Sequence, residues 1–380
     1  MKRILKNNAV QSLLASLACI IVGLLIGYIV LLFINPAGAW DAILTVIKNF
    51  FYYPSKPAAL KYFGSTLVKT VPLMLCGLSV LFAYKVGLFN IGAAGQYVAG
   101  AGAALYLALA LNQPWYVCII GAMLAGAMLG AISGALKSYC NVNEVISCIM
   151  LNWISLYVVN MILTTVKETT SPYTYTLSSQ NPAALIPSLG LGKLFSNNPY
   201  VTIALPIAIV VSIIIWVLLE KTKFGYELRA TGNNKNAAKY CGMNEKRNII
   251  LTMVIAGALA GLGAALLFLT GFEQWQCSQS SVPTMGFNGI AAAFLGGLNP
   301  IGNIFSSYFI QHITNGGAYV DKTMYCAQIS DLISAIIIYL CGFVAFFKYF
   351  INNCIDRSEE RRAHKKAETP VSESEEGGNK

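Results

Sequence analysis

The side chains best suited to chemistry in this chain are neutral amides that stand beside glycines. The segment GLFNIGAAGQ, residues 87–96, sets Asn90 and Gln96 between two long apolar runs, and GLNPIG, residues 297–302, does the same with Asn299. An amide side chain both donates and accepts hydrogen bonds, and glycine adopts backbone angles that other residues avoid. Such groups suit an uncharged polar solute better than an ion.

Residues for covalent catalysis or metal binding are few. An intramembrane serine protease would use Ser133 and His312, but the glycine before Ser133 comes one residue too early for a GxSG pattern, and the other histidine, His364, lies near the carboxyl terminus. The ten cysteines form no CxxC pair, so we expect neither a zinc site nor a disulfide framework, although Cys277 and Cys326 could form a bridge. The sequence predicts no catalytic residue, no metal and no cofactor.

Ionisable residues inside the apolar runs are scarce as well. Glu144 and Asp331 are the acids nearest to these runs or within them. A charged group within a membrane helix is costly and indicates function by default. The alternatives are a solvated Glu144 and an Asp331 paired with Lys322. A secondary transporter driven by an ion gradient would need a relay of such groups, and the central runs offer little of one.

The composition assigns the chain to the polytopic membrane proteins. Its 380 residues are 56% hydrophobic and only 11% charged, whereas soluble proteins carry about 25% charged residues. Apolar runs near the roughly 20 residues that cross a bilayer recur along its length. We therefore predict an all-α, polytopic membrane helical bundle of about ten spans, some of them broken or re-entrant. The predicted spans are Leu13–Phe33, Ser65–Tyr84, Tyr97–Leu111, Trp115–Leu136, Glu144–Val166, Tyr200–Leu219, Ile249–Gly271, Gly286–Gly297, Ile301–Val320 and Ala327–Tyr349.

The basic residues predict an orientation. Most of the 26 lysines and arginines fall at the amino terminus, in the loop 220–248 and in the carboxyl tail. Because basic loops stay on the cytoplasmic side, we predict that both termini are cytoplasmic, and we attribute the net charge of +10 to orientation rather than to a nucleic-acid surface. Residues 1–354 are the predicted membrane domain, 167–198 an outer loop, and 355–380 a disordered cytoplasmic tail without an apolar face.

The two glycine-rich segments predict helix breaks. Irregular backbone at membrane depth is tolerated only where protein or a water-filled cavity surrounds it, so we expect these segments to line a path. A tight cytoplasmic turn is the alternative, because such turns also favour Gly and Asn. Residues 71–92 and 282–302 share Val-Pro, an apolar run and Gly-Leu-x-x-Ile-Gly; a parallel internal repeat and a chance similarity both remain open.

Four segments in order resemble the permease subunits of bacterial ATP-binding-cassette (ABC) importers. They are GLFNIGAAGQ (87–96), NEVISCIMLNWI (143–154), YELRATGNNKNAAKYCGM (226–243) and GFNGIAAAFLGGLNPIG (286–302). The resemblance, which runs from about residue 65 to 346, is to the simple-sugar and branched-chain amino acid permease superfamily. Within it, the chain resembles the branch that serves purine nucleosides through a Bmp-type binding lipoprotein. Ala94 stands where this branch often has a glutamate, so a carboxylate expected near the break is missing.

The resemblance implies a transport subunit that works with partners in the plasma membrane of a bacterium. The expected partners are a cytoplasmic ATPase subunit, a second permease subunit that is a related but different chain, and an extracytoplasmic binding lipoprotein that delivers nucleosides such as guanosine. A sugar permease for ribose or galactose is the alternative. The chain contains no GxxxxGK[ST] phosphate loop, so ATP is expected to be hydrolysed elsewhere.

Two sets of residues follow from the motifs. We expect the solute path to be lined by Asn90, Gln96, Asn143, Asn152, Asn288 and Asn299. The resemblance places the ATPase-coupling helix at Glu227, Arg229, Ala230, Gly232, Asn236, Ala237, Ala238 and Gly242. Interhelical bonding of the amides, and a generic basic loop in place of the coupling helix, are the alternatives. Phe89, Trp153 and Trp275 could stack a purine, or could anchor the chain at the membrane interface.

Overall fold

A computed structural model describes residues 8–321, 323–326, 332–333, 335–336, 339–340, 343, 346–347, 349–350 and 353. Asp331, Lys322, the predicted tail and most of the last predicted span lie outside these residues. In the described parts the chain is almost entirely helical, as predicted, and two isolated bridges in the loop region are the extent of its β-pairing. The helices are α1 Asn8–Ile34, α2 Ala39–Lys48, α3 Lys56–Lys85, α4 Ala93–Leu109, α5 Trp115–Cys140, α6 Glu144–Leu163, α7 Ala204–Lys221, α8 Lys223–Asn233, α9 Lys235–Tyr240, α10 Glu245–Phe268, α11 Met285–Leu295 and α12 Pro300–Gly316.

Among the described residues, six helices are long and apolar enough to cross a membrane: α1, α3, α5, α6, α7 and α10. Three further predicted spans coincide with the shorter helices α4, α11 and α12. These are short because glycine-rich segments interrupt the apolar sequence before α4 and between α11 and α12. The structure thus supports a membrane helical bundle with six candidate spans. A count of ten and the side on which the termini lie stay predictions.

Helices α3 and α10 occupy the centre of the bundle. In the most apolar 18-residue stretch of each helix, 89% of the stretch is buried inside the protein in α3 and 72% in α10. In α1, α5, α6 and α7 the buried share of the corresponding stretch is at most 39%. Helix α10 packs most extensively against α5, through glycines that let the two backbones meet. A Cβ atom on Gly257 would lie 2.2 Å from the carbonyl oxygen of Gly126, so neither helix tolerates a side chain at this contact.

The two predicted breaks have the same local geometry. Two residues after the end of α3, Gly87 has φ 77°, and two residues after the end of α11, Gly297 has φ 66°, the left-handed conformation that glycine adopts at low cost. Leu88 N donates to Ala83 O, and Leu298 N donates to Ala293 O, each at the end of its helix. These are the hydrogen bonds of a Schellman cap, which satisfies the last carbonyls of a helix. The sequence repeat is therefore a structural one at the breaks.

Upstream of the breaks the two copies differ. Pro72 lies inside the 30-residue helix α3, whereas Pro283 precedes the 11-residue helix α11. The structural similarity is thus limited to the ends of α3 and α11 and does not extend over the whole repeat. The bundle has two ends that are named here by their loops. The coupling end carries residues 222–243, and the far end carries residues 164–203.

Candidate transport site

The break between α3 and α4 is closed by a reciprocal pair of amides. Asn90 and Gln96 are 0% and 1% exposed. Asn90 Nδ2 donates to Gln96 Oε1 at 2.9 Å and to Ser79 Oγ at 2.9 Å, and Gln96 Nε2 donates back to Asn90 Oδ1 at 3.3 Å. Buried amides need such partners because an unpaired one costs free energy. These two side chains therefore join the end of α3 to the start of α4.

Helix α6 satisfies the backbone of the same break. Asn152 Oδ1 accepts a hydrogen bond from Gly95 N at 2.8 Å, and Asn152 Nδ2 donates to Ile91 O at 3.2 Å. Ser155 Oγ donates to Gly95 O at 2.9 Å. A Cβ atom on Gly95 would lie 2.5 Å from Asn152 Oδ1, which explains the glycine at this position. The structure thus brings Asn90, Gln96 and Asn152 to one place, with their hydrogen bonds made inside the protein.

The other three predicted path residues lie apart from this cluster. Asn143 and Asn299 cap α6 and α12, because their side-chain oxygens accept from Val145 N and Ile301 N, each at 2.9 Å. Asn288 lies on α11 and is half-buried. Within the described residues, its side chain makes no hydrogen bond with the protein, so its amide is available to a ligand.

Position 94, where the expected carboxylate is missing, lies at a packing contact. Ala94 is fully buried at the first turn of α4. Gly286, at the start of α11, lies so close that a Cβ atom there would be 2.4 Å from Ala94 Cα. The broken helices α4 and α11 therefore meet backbone to backbone at Gly286, and Ala94 is fully buried at this contact.

The predicted coupling segment forms two short helices, of which α8 contacts the α3–α4 break directly. Thr222 and Asn234 cap α8 and α9, as their side-chain oxygens accept from Gly225 N and Ala237 N. A Cβ atom on Gly232 would lie 2.4 Å from Val86 C, and one on Gly87 would lie 2.9 Å from Gly232 O. The end of α8 therefore rests on the residues where α3 ends.

Further contacts hold α8 against the bundle. Asn248 Nδ2, on α10, donates to Thr231 Oγ1 at 2.8 Å, and Leu228 is 0% exposed. Arg229 Nη1 lies 3.0 Å from Glu220 Oε2, an ion pair within the chain. The resemblance places Arg229 in the ATPase-coupling helix, and the structure pairs it with Glu220 at the end of α7.

The predicted coupling residues divide into an inward and an outward group. Ala238 is 3% exposed, and Gly232 contacts the break, while Glu227 and Ala230 are half-buried. Asn236, Ala237 and Gly242 are exposed together with Lys235, Lys239, Tyr240 and Cys241. Tyr240, which the sequence analysis did not single out, is 93% exposed. The tip formed by α9 and the turn after it is therefore the part of the segment open to a partner.

Sequence reasoning also missed a pair of charges at the far end. Lys69 Nζ lies 3.6 Å from Glu273 Oε1, and the two side chains are 34% and 41% exposed. Lys69 Nζ also lies 5.4 Å from the ring centroid of Phe272. A lysine inside the predicted span Ser65–Tyr84 was the signal in the sequence, since ionisable groups in membrane helices are rare.

The tryptophan and serine candidates have structural roles instead. Trp275 is 2% exposed, and its Nε1 donates to Asn160 Oδ1 at 2.9 Å, so its ring cannot stack a solute. Trp153 is exposed and stacks on Tyr157. Ser133 Oγ donates to Gly130 O at 2.9 Å, whereas a ring nitrogen of His312 lies 2.8 Å from Ile47 O. Ser133 and His312 therefore form no catalytic dyad.

A cavity of about 560 Å³ lies between α2 and the residues Tyr319, Asp321, Met324 and Tyr325. Asp41, Lys48, Tyr52 and Asp321 contribute its polar lining. Two hydrogen bonds from Thr323 hold the pKa of Asp321 below its ordinary value. None of the predicted path residues lines this cavity.

Comparison with known proteins decides the family. Residues 62–342 match the family described as the branched-chain amino acid transport system / permease component. The chain belongs to this permease family. The resemblance found in the sequence is thereby confirmed, and members of the family are transport subunits rather than enzymes. Both the protease and the secondary transporter are excluded.

Individual relatives cover most of the permease. It is 33% identical to the nucleoside ABC transporter permease protein NupB of Lactococcus lactis subsp. cremoris (strain MG1363), over 88% of this chain and 91% of that protein. It is 31% identical to the guanosine ABC transporter permease protein NupP of Bacillus subtilis (strain 168), over 86% and 92%. It is 29% identical to the glucose ABC transporter permease protein TsgB13 of Haloferax volcanii, over 78% and 80%.

Proposed function

We propose that this chain is the permease subunit of an ABC importer that takes up nucleosides, purine nucleosides such as guanosine first. The observation that carries the proposal is its similarity, over nearly the whole length, to permeases named for nucleosides and guanosine. The amide of Asn288, which has no protein partner within the described residues, is a neutral donor and acceptor that suits an uncharged solute.

The importer is proposed to contain four kinds of component. This chain and a second, related permease form the path in the plasma membrane of a bacterium, with both termini of this chain in the cytoplasm and about ten spans. A cytoplasmic ATPase supplies the energy, and an external binding lipoprotein delivers the nucleoside. This assembly is supported by the family, in which permeases are separate transport subunits.

The coupling step is proposed to run through residues 222–243. The exposed tip of α9 binds the ATPase, and the end of α8 transmits its movement to Val86 and Gly87, which it contacts. Because Asn90 and Gln96 link this break to α4, a displacement at Gly232 reaches α4 without passing through lipid-facing helices. The close backbone contact supports this route, since packed backbones transmit displacement rather than absorbing it.

The six amides have separate roles in this proposal. Asn90, Gln96 and Asn152 fix the shape of the break through their internal hydrogen bonds. Asn143 and Asn299 fix where α6 and α12 begin. Asn288, whose amide has no protein partner in the described residues, is the first candidate among them for direct contact with the solute.

Uptake in cells tests the proposal. Cells with and without this chain are given radiolabelled guanosine, and ribose, leucine and other nucleosides are added as competitors. We expect guanosine uptake to depend on the chain and on the partner ATPase, and to be competed by nucleosides only. Loss of ribose uptake with unchanged guanosine uptake would assign the chain to sugars instead, the alternative that similarity to a glucose permease favours.

A further inference from the structure

The ion pair of Lys69 and Glu273 includes a residue of a predicted membrane span, where a charged side chain is energetically costly. Lys69 lies about 20 Å along α3 from the first residue of that helix, near its middle, at 1.5 Å per residue. Lys69 lies four residues inside the predicted span Ser65–Tyr84, on its far-end side, and its side chain is 34% exposed although α3 is the most buried of the candidate spans. Ionisable groups within membrane spans are rare and often mark the path of a solute.

The ion pair between Lys69 and Glu273 is also long. At 3.6 Å, the contact between Lys69 Nζ and Glu273 Oε1 is longer than a hydrogen bond between charged groups, which is about 2.8 Å. A second ion pair shows the contrast, because Lys137 Nζ lies 2.7 Å from Glu144 Oε2, with side chains only 19% and 15% exposed. In the described part of the chain, neither Lys69 nor Glu273 makes another hydrogen bond, so donors and acceptors remain free.

The residues next to Glu273 are fixed by hydrogen bonds, although the Glu273 carboxylate itself makes none within the described residues. Gln274 Nε2 donates to Thr174 O at 2.8 Å, and Trp275 is fixed by its bond to Asn160. On the other side, Phe272 holds the ammonium of Lys69 over its ring. The two charges are thus held in place by their neighbours without using up their hydrogen-bonding capacity, as in a binding site built before its ligand arrives.

We propose that Lys69 and Glu273 bind the vicinal hydroxyls of the transported solute in the far half of the path. A carboxylate accepts hydrogen bonds from two adjacent hydroxyls, and an ammonium donates to their oxygens. The ligand class is a neutral solute with a vicinal diol, which ribose provides both in a nucleoside and as a free sugar. The identification of that solute as a nucleoside rests on the proposed function.

Transport by the complete importer tests this site. The permeases, ATPase and binding protein are placed in liposomes, and uptake of guanosine and of 2′,3′-dideoxyguanosine is measured at concentrations that saturate the binding protein. For Glu273→Gln and Lys69→Met we expect guanosine uptake to fall about tenfold, the effect of a lost hydrogen bond to a charged group. Uptake of the dideoxy compound, which has no diol, is expected to stay at the wild-type level.

Two further variants separate ligand binding from a structural ion pair. Glu168→Gln makes the same chemical change in the far-end loop, and we expect it to leave both uptakes unchanged. The exchange Lys69→Glu with Glu273→Lys keeps an ion pair but moves the carboxylate to α3. Full recovery of guanosine uptake in the exchange variant, or an equal loss for both solutes in Glu273→Gln, would show that the pair is structural and overturn the proposal.

Uptake of ribose distinguishes a failure of this proposal from a failure of the proposed function. If the wild-type importer carries ribose and not guanosine, the nucleoside assignment fails. The site is then judged in the same variants by methyl ribofuranoside, which keeps the 2,3-diol, against methyl 2-deoxyribofuranoside, which has no vicinal diol. If it carries guanosine and Glu273→Gln does not distinguish the two nucleosides, the nucleoside assignment stands and the site is wrong.

Discussion

The α3–α4 break and the Lys69–Glu273 pair both bring polar groups into an apolar bundle, yet they use those groups in opposite ways. At the break, Asn90 and Gln96 are buried and bonded to each other. At the pair, two charges are part-exposed and 3.6 Å apart. Polar groups whose hydrogen bonds are all made within the protein fix its shape, whereas polar groups with unused hydrogen-bonding capacity are available to bind a ligand. Polar content alone therefore does not distinguish the structural part of a transport path from its binding part.

The largest expected effect comes from removing one of the paired amides at the α3–α4 break. Asn90→Leu leaves Ser79 and Gln96 without a buried partner, which is expected to destabilise the protein by about 3 kcal/mol. The measurement is the thermal unfolding of the purified permease in detergent. The double variant Asn90→Leu/Gln96→Leu removes both partners and is expected to recover part of that stability. Recovery of stability without any recovery of uptake would show that the amides contact solute, against the structural role assigned here.

A smaller effect is expected at the free amide. Asn288→Leu removes a hydrogen-bonding group that has no protein partner in the described residues, so the unfolding temperature is expected to stay near that of the wild type. The KM for guanosine uptake is expected to rise several-fold, by the roughly 1 kcal/mol of one neutral hydrogen bond. Unfolding and uptake are measured on the same preparation. A fall in stability with unchanged KM would place Asn288 among the structural amides.

The smallest effect on stability is expected at the coupling end. Arg229 and Glu220 form a part-exposed ion pair, and pairs of that kind contribute about 0–1 kcal/mol. Arg229→Gln and Glu220→Gln should therefore unfold at nearly the wild-type temperature. If Arg229 also anchors the ATPase, Arg229→Gln lowers ATP-driven uptake more than Glu220→Gln does. Equal uptake in the two variants would show that Arg229 acts only through its ion pair with Glu220.

The helical bundle and the breaks could be predicted from sequence because they depend on local pattern. Apolar runs gave the positions of the helices, and Gly87 and Gly297 marked where two of them end, since a left-handed cap requires glycine or a close substitute. Helix α2, from Ala39 to Lys48, was missed because ten residues are too few to read as a span.

The roles of polar residues could not be predicted in the same way. Asn90 and Asn288 look alike in the sequence, and only their neighbours in the fold distinguish a bonded amide from a free one. Glu273 is 204 positions from its partner, as the numbering of Lys69–Glu273 shows, so no local pattern relates them. Arg229 was predicted to face the ATPase, and its pairing with Glu220 depends on how α8 folds back on α7.

The contact between Gly232 and the α3–α4 break is the part of the account that links ATP hydrolysis to the path. Gly232→Val places a branched side chain against Val86, where even a Cβ atom would lie 2.4 Å from the backbone. Tyr226→Phe changes an exposed side chain of α8 outside the tip and serves as the control. The decisive measurement is guanosine transported per ATP hydrolysed by the complete importer in liposomes. The account predicts that Gly232→Val keeps ATP hydrolysis and loses most uptake, and an unchanged ratio in this variant would contradict it.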